Sequence, residues 1–273
     1  MKLKLLALFL ILSLLPCAGF CEEKDGDFLY MINVGKGDAI LLRASDKFYL
    51  IDVGKAGAWE SIEDALVRFG VIELEGVFLT HTDKDHSGGL KKLAKSGFRV
   101  KNWYASAYYT CEESDHPMAK ALKKTDAEIN FLMAGDSVDG LFTVISPIYP
   151  DYRNEDNNSL VMIFDNGSSR VLLCGDMEGE EEIRLLNSRE SDLKCDVFKV
   201  PNHGDDDVCL YMELEALGAK IALISTDPEE KPGTPDPVLV YRLEEAGMKV
   251  YCTDTSENGI LVRLDGALMV ETD

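Results

Sequence analysis

Four apolar runs in this chain stop abruptly in an aspartate or a histidine: "YLIDVG" at Asp52, "VFLTHTDKDH" at His81, "LLCGDM" at Asp176 and "FKVPNHG" at His203. Runs so rich in β-branched and aromatic residues read as strands buried in a sheet, which carry their functional groups at their ends, on loops that the sheet holds in place. The four endings can therefore converge on one edge. They also echo one another: "YLIDVG" and "LLCGDM" each precede an acidic helical segment, and "VFLTHTDKDH" resembles "VFKVPNHGDD".

The remaining pattern is consistent with that frame. Short β-rich runs ("FLYMINV", "AILLRA", "LFTVIS", "SLVMIF", "IALIST", "KVYCTD", "ILVRLDG") alternate with helical periodicity over "WESIEDALVRFG", residues 89–96, "GEEEIRLLNS", "LYMELEALG" and "PVLVYRLEEAG". Several neighbouring strands read as hairpins and meanders, so the expected class is an α/β sandwich and not a simple parallel sheet. No Pro/Ser-rich linker or low-complexity tract interrupts it. The expected division is an export signal over residues 1–21 and one domain over residues 22–273.

The signal reading rests on Lys2 and Lys4, an apolar run from Leu5 to Leu15, then Pro16 and small residues before "EEKDGD". That run is shorter than the roughly 20 residues a membrane span needs. Cleavage between Ala18 and Cys21 is expected, with an uncleaved N-terminal anchor as the alternative. Removing the two lysines takes the formal charge from -21 to -23, a surface that repels nucleic acid and anionic lipid at long range. Cys111, Cys174, Cys195, Cys209 and Cys252 remain, with no CxxC spacing among them, so neither a structural zinc site nor a thioredoxin motif is indicated.

Two of the four histidines stand in "LTHTDKDHSGG". Imidazole and carboxylate together suit zinc, manganese or iron, and alternate side chains of His81-x-Asp83-x-Asp85-His86 can face two neighbouring ion positions. Asp176 and His203 are the candidates for the rest of the coordination. A helix-capping turn is the plain alternative for the loop, but it leaves Asp176 and His203 unexplained.

With these residues in place, "THTDKDHSGG" resembles the metal-binding signature of the metallo-β-lactamase superfamily, in the variant with Asp83 where many members have a second histidine. "NVGKGDAILL", "FYLIDVG", "DNNSLVMIF", "LLCGDM", "FKVPNHG" and "VYCTD...NGI" follow the order found in the hydrolase domain of ComEC-type competence proteins and its stand-alone relatives, over roughly residues 27 to 268. The resemblance implies a four-layer αβ/βα sandwich with two mixed β-sheets flanked by helices. It implies two divalent metal ions, zinc or manganese: His81 and Asp83 on one, Asp85, His86 and His203 on the other, and Asp176 bridging. Asp52 would orient a ligand histidine, with Asn158 and Ser159 as further support.

Two ions, three carboxylates and a bridging hydroxide sum to a near-neutral centre that can accept an anionic phosphodiester. Metals about 3.5 to 4 Å apart lower the pKa of a shared water and stabilise charge developing on phosphorus. Hydrolysis is the expected reaction, with Asp85 and Asp176 as catalytic carboxylates and no Ser or Cys nucleophile. Lys84, Asn202 and Thr234 are candidate substrate contacts.

The sequence also departs from the superfamily pattern. Asn157, Asn158 and Ser159 occupy the region of the usual third histidine, which leaves water to complete the first ion's shell. Asn202 replaces a histidine, Thr234 stands where relatives often have His before Pro, and Asp205, Asp206 and Asp207 add repulsion toward phosphate.

From Lys84 to Lys124 there are nine Lys or Arg and four Asp or Glu, read chiefly as solvated faces and alternatively as a basic approach for a phosphate-containing ligand. His116, before Pro117, is expected to be exposed; Trp103, Tyr104, Tyr108 and Tyr109 are expected in a core rather than stacked on bases. The favoured function is an exported phosphodiesterase or nuclease acting on a small substrate or on DNA. A β-lactam, ester or amide hydrolase and a catalytically weakened metal- or ligand-binding protein are the alternatives. Nothing in the chain resembles the long apolar segments of a DNA channel, so no transmembrane channel of its own is expected.

Overall fold

The computed structural model describes residues 26–188 and 193–273, so the apolar segment from Leu5 to Leu15 lies outside the described residues. The strands are β1 (Phe28–Ile32), β2 (Ile40–Ala44), β3 (Lys47–Ile51), β4 (Glu73–Leu79), β5 (Arg99–Ser106), β6 (Ile129–Leu132), β7 (Ser137–Val138), β8 (Phe142–Ser146), β9 (Val161–Asp165), β10 (Arg170–Leu173), β11 (Val197–Lys199), β12 (Ile221–Ile224), β13 (Lys249–Cys252), β14 (Gly259–Arg263) and β15 (Met269–Thr272). They form an eight-stranded sheet, β15-β14-β1-β2-β3-β4-β5-β6, and a seven-stranded sheet, β13-β12-β11-β10-β9-β8-β7. The helices are α1 (Trp59–Arg68), α2 (Lys84–Ser87), α3 (Leu90–Leu93), α4 (Pro117–Leu122), α5 (Gly179–Ser188), α6 (Leu214–Leu217) and α7 (Pro237–Glu245).

Strand periodicity of two sorts the apolar residues into layers. In β1, Phe28, Tyr30 and Ile32 join Ile62 and Leu66 of α1 and Met118 and Leu122 of α4 on the outer face of the first sheet. Leu29 and Met31 face the other way, onto Phe142, Phe164 and Leu173 of the second sheet. The outer face of that second sheet, with Leu172, Ala222 and Ile224, is covered by Leu185 of α5, Leu217 of α6 and Leu239 and Leu243 of α7. The result is the expected helix, sheet, sheet, helix sandwich with two mixed sheets.

Each sheet is antiparallel on one side and parallel on the other. Strands β3, β4, β5 and β6 run parallel, as do β10, β11, β12 and β13. Parallel neighbours bring their carboxyl ends to one edge, where ligand sites of open α/β sheets form. Asp52 follows β3, His81 follows β4, Asp176 follows β10 and His203 follows β11, so strand direction alone places all four on such edges.

Helices α1, α5 and α7 lie where the periodicity puts them. Two others are single turns. The helix expected over residues 89–96 ends at Leu93, where the Ser96 hydroxyl donates to the Leu93 carbonyl (2.7 Å) and takes over a backbone acceptor. In "LYMELEALG" the backbone N–H groups of Leu210, Tyr211 and Met212 donate to the buried Glu182 carboxylate at 3.0, 3.1 and 2.5 Å. Only Leu214–Leu217 coils, and left-handed Gly218 ends it. Among the described residues no helix is long and apolar enough to cross a membrane.

Candidate metal centre

The loop after β4 is pressed onto the loop after β3 by its two glycines. A Cβ on Gly88 would lie 2.4 Å from the Ala56 nitrogen, and one on Gly89 would lie 2.3 Å from the Val53 carbonyl oxygen. These contacts account for "SGG" after the histidines. Three residues of the site sit in the left-handed backbone region: Asp52 (φ 59°), Asn202 (φ 41°) and His203 (φ 55°). Such conformations cost about 1–3 kcal/mol each and cluster at functional sites.

Asp176 is the hub. Its Oδ2 lies 3.1 Å from His86 Nε2, 3.1 Å from His203 Nε2 and 3.9 Å from His81 Nε2. Asp85 approaches from the first sheet, with Oδ2 3.5 Å from His203 Nε2. Side-chain oxygens and nitrogens of Asp85, His86, Asp176 and His203 thus form one potential ligand set, and those of His81, Asp83 and Asp156 form a second. His81, His86, Asp176 and His203 are buried, Asp85 and Asp156 are half-buried and Asp83 is exposed.

Each imidazole is oriented from behind through Nδ1. His86 Nδ1–H donates to Asp52 Oδ2 (2.8 Å), and Asp52 also accepts from the Thr80 backbone N–H (2.8 Å) and hydroxyl (2.7 Å). His203 Nδ1 lies 3.0 Å from both the carbonyl and the hydroxyl oxygen of Ser225, and His81 Nδ1 lies 3.0 Å from the Thr80 hydroxyl. Every Nε2 therefore points at Asp176. Behind Ser225, its hydroxyl donates to buried Asp38, which also takes the fully buried Lys199 ammonium. Lys199 donates in addition to the Gly175 carbonyl (3.2 Å) and stands 3.9 Å from Asp176 Oδ1.

Burial acts against charge throughout, and the neighbours decide the outcome. Desolvation disfavours imidazolium at His86 and His203, but Asp176, with Asp52 at His86 and Asp85 at His203, raises both above the ordinary histidine value. Desolvation followed by repulsion from His86 lowers His81. Asp176 is held well below the usual carboxylate range against its burial by His203 and His86, and Asp85 is lowered by His203, His86 and Lys36. Asp156 goes the other way: burial and the charges of Asp176, Asp83 and Glu178 push it up to about 8.

A divalent cation fits this donor set. His81 Nε2, His203 Nε2 and Asp176 Oδ1 are buried without a well-formed hydrogen bond, each at a cost of about 1–3 kcal/mol. Two imidazole nitrogens facing a carboxylate that itself has an unpartnered oxygen make a donor set suited to a cation.

The other expected residues divide. Ser159 supports the hub directly, its hydroxyl accepting from the Asp176 N–H (3.1 Å). Asn158 acts one step away, accepting from the Asp151 N–H and donating to the Asp151 carbonyl, both at 2.8 Å. Asn202 Nδ2 donates to Glu178 (3.2 Å). Lys84 is exposed at the first position of α2.

Three expectations need correction. Thr234 is buried, its hydroxyl donating to the Lys231 carbonyl (2.8 Å) and accepting from Thr226, so it does not present a donor to substrate. His116 is only 1% exposed, packed edge-on against Tyr109 and Phe131. Asp156 was missed: it stands 3.6 Å from His81 Nε2, so a carboxylate, rather than water alone, is available where the third histidine is lacking. Its signal was the acid directly ahead of "NNS", masked by attention to the asparagines. Three of the nine basic residues of the 84–124 segment are ion-paired, Arg99 and Lys101 on Glu73 and Lys120 on Asp115. Trp103 is buried, and Tyr104 stacks on Phe78.

Sandwich and centre together define a metallohydrolase fold. Residues 32–227 match the metallo-beta-lactamase superfamily domain, and the chain belongs to that superfamily, whose members are metal-dependent hydrolases. It is 28% identical over 272 residues to ComE operon protein 3 of Bacillus subtilis, a match covering 92% of this chain and 34% of that protein. It is 29% identical over 203 residues to Recombination protein 2 of Haemophilus influenzae, covering 71% of this chain and 24% of the relative. The chain thus spans about a third or less of these relatives. Among solved structures it is similar to the metallo-beta-lactamase fold protein YhfI from Bacillus subtilis, with TM-score 0.55 and 16% identity over 87% of this chain and 99% of that one, a likeness of fold.

Proposed function

We propose that this chain is an exported metal-dependent phosphodiesterase, with nucleic acid as one substrate class. The observation that carries the reading is the gathering of Asp85, His86 and His203 on Asp176, with a second set, His81, Asp83 and Asp156, beside it and Asp176 Oδ1 buried without a hydrogen-bond partner. Divalent ions, zinc or manganese, would be held by Asp85, His86, Asp176 and His203 and by His81, Asp83, Asp156 and Asp176; when bound they supply Lewis acidity and a water acidic enough to ionise near neutral pH.

The side chains set the terms for that chemistry. Asp52 and Ser225 fix the imidazoles of His86 and His203 with Nε2 toward the hub. Asp85 and Asp176 are weaker bases than ordinary carboxylates, so they serve as fixed charge and cation ligands in preference to proton carriers. The Lys199–Asp38 pair sits behind them, buried and closed to substrate, and balances one carboxylate against one ammonium. The named competence and recombination relatives favour DNA as the first substrate to try. Export rests on the apolar segment ahead of residue 22, and mass determination of the N-terminus of secreted protein tests it.

The deciding experiment loads protein beginning at Glu22 with Mn²⁺ or Zn²⁺. It then compares turnover of bis(p-nitrophenyl) phosphate, single-stranded DNA and a chromogenic cephalosporin, with His86→Ala as control. Phosphodiester cleavage that disappears in the control is expected. Cephalosporin turnover alone, or tight metal binding with no turnover, refutes the reading.

A further inference from the structure

The loop between β1 and β2 carries a lysine into the centre. Gly35 (φ 74°) and Gly37 (φ 144°) flank Lys36, and a Cβ on Gly37 would lie 2.5 Å from the Asp85 carbonyl oxygen. The next residue, Asp38, donates its N–H to that same carbonyl (3.2 Å), and Gly54 N–H donates to the Asp38 carbonyl (2.8 Å). The base of the lysine is thereby fixed against the metal loop. Its Nζ lies 2.6 Å from Asp85 Oδ2, the oxygen that faces His203 Nε2 at 3.5 Å.

Three other cations nearby are committed elsewhere, and Lys84 is exposed at the start of α2 without contact to a carboxylate of the centre. Lys199 is buried on Asp38, Lys231 pairs with Asp205, and Lys55 pairs with Glu230. Among the described residues, Lys36 combines contact with a carboxylate of the centre and access to solvent, with a quarter of its side chain exposed. Its surroundings are otherwise hostile to an anion: Asp83, Asp156 and Glu178 all lie around the hub.

We propose that Lys36 is the anion-recognising residue of the centre, and that its ammonium binds a non-bridging oxygen of the phosphoryl group. The inference rests on the phosphodiesterase reading and adds how a strongly acidic protein admits an anionic substrate. Asp85 Oδ2 can serve an ammonium or a divalent cation. Of the two cations, the one with solvent to move into and a four-carbon stem to move on is Lys36. Released from Asp85, it places a positive charge beside the carboxylates that would otherwise repel phosphate.

The test compares wild type, Lys36→Gln and Lys36→Arg at saturating Mn²⁺, with metal per chain measured by elemental analysis and inorganic phosphate titrated calorimetrically. Loss of one charge-assisted contact is expected to weaken phosphate binding about ten- to hundredfold in K36Q. Metal content should not change, and K36R should restore affinity to within about threefold. Equal phosphate affinity in K36Q overturns the inference. So does a gain of one ion per chain in K36Q, which would make the lysine a stand-in for a metal, or a metal loss that accounts for the weaker binding. Phosphate binding is read independently of turnover. A protein that binds phosphate through Lys36 yet cleaves no phosphodiester would refute the function and leave this assignment standing.

Discussion

Replacing Asp52 by asparagine isolates the orientation of His86 from its presence. The amide has the volume of the carboxylate and tolerates the left-handed backbone at φ 59°, so the loop should keep its path. Asp52 accepts three hydrogen bonds, from the Thr80 N–H at 2.8 Å, the Thr80 hydroxyl at 2.7 Å and His86 Nδ1–H at 2.8 Å. Asparagine retains its oxygen for the Thr80 N–H and turns its NH₂ toward Thr80 Oγ1 and His86. Facing a donor, Nδ1 must become an acceptor, which moves the imidazole proton to Nε2, the atom 3.1 Å from Asp176. The lone pair needed by a cation is then gone. Loss of such an orienting partner weakens metal binding about 10–100-fold, or about 1.4–2.8 kcal/mol, comparable with one hydrogen bond to a charged group at about 1.5–3 kcal/mol. Competition against a chromogenic chelator measures the affinity, and ¹⁵N shifts of the imidazole report the tautomer. Zinc affinity within about twofold of wild type, with Nε2 still unprotonated, would refute the argument.

Metal-stripped protein should lose stability as pH rises above 6.5. His86, His203 and Asp156 all have raised folded-state values, so the folded chain binds more protons than the unfolded one and that advantage vanishes on deprotonation. His81 and His116 are lowered and act only below 6.5, and thermal melts with and without Mn²⁺ should diverge most at the alkaline end. Asp156→Ala should reduce bound metal per chain while leaving the Asp85, His86, Asp176 and His203 set filled; unchanged stoichiometry by elemental analysis would remove Asp156 from the centre. Gly89→Ala should cost about 1–3 kcal/mol in urea unfolding, because its methyl would meet the Val53 carbonyl at 2.3 Å, and a neutral result would mean the loop yields.

Strand direction made most of the site legible. Asp52, His81, Asp176 and His203 could be found as polar ends of apolar runs because a buried polar side chain there has loop groups at hand to satisfy it. The helix over Gly179–Ser188 was equally plain from its periodicity. Other features depended on partners remote in sequence. The residues of "LYM" read as helical until Glu182, 28 residues or more away, captures their N–H groups. Asp156 looked like one more acid in an acidic loop, and only folding brings it to His81. Lys36 and Lys199 were invisible for the same reason: a lysine's local sequence says nothing about which carboxylate it will meet. His116 was misjudged because proline after a histidine suggests a surface turn, whereas here the ring plugs a gap between Tyr109 and Phe131.

The glycine-padded loop after β4 brings Asp85 and His86 to the same spot that Asp176 and His203 reach from the second sheet. An ion seated there is a rivet through both slabs of the sandwich, added to the apolar interlayer and to the Lys199–Asp38 and Ser225–Asp38 contacts that already cross it. Cohesion and chemistry would then answer to a single variable, the supply of metal, and starvation for it would loosen the molecule at the very seam where it works.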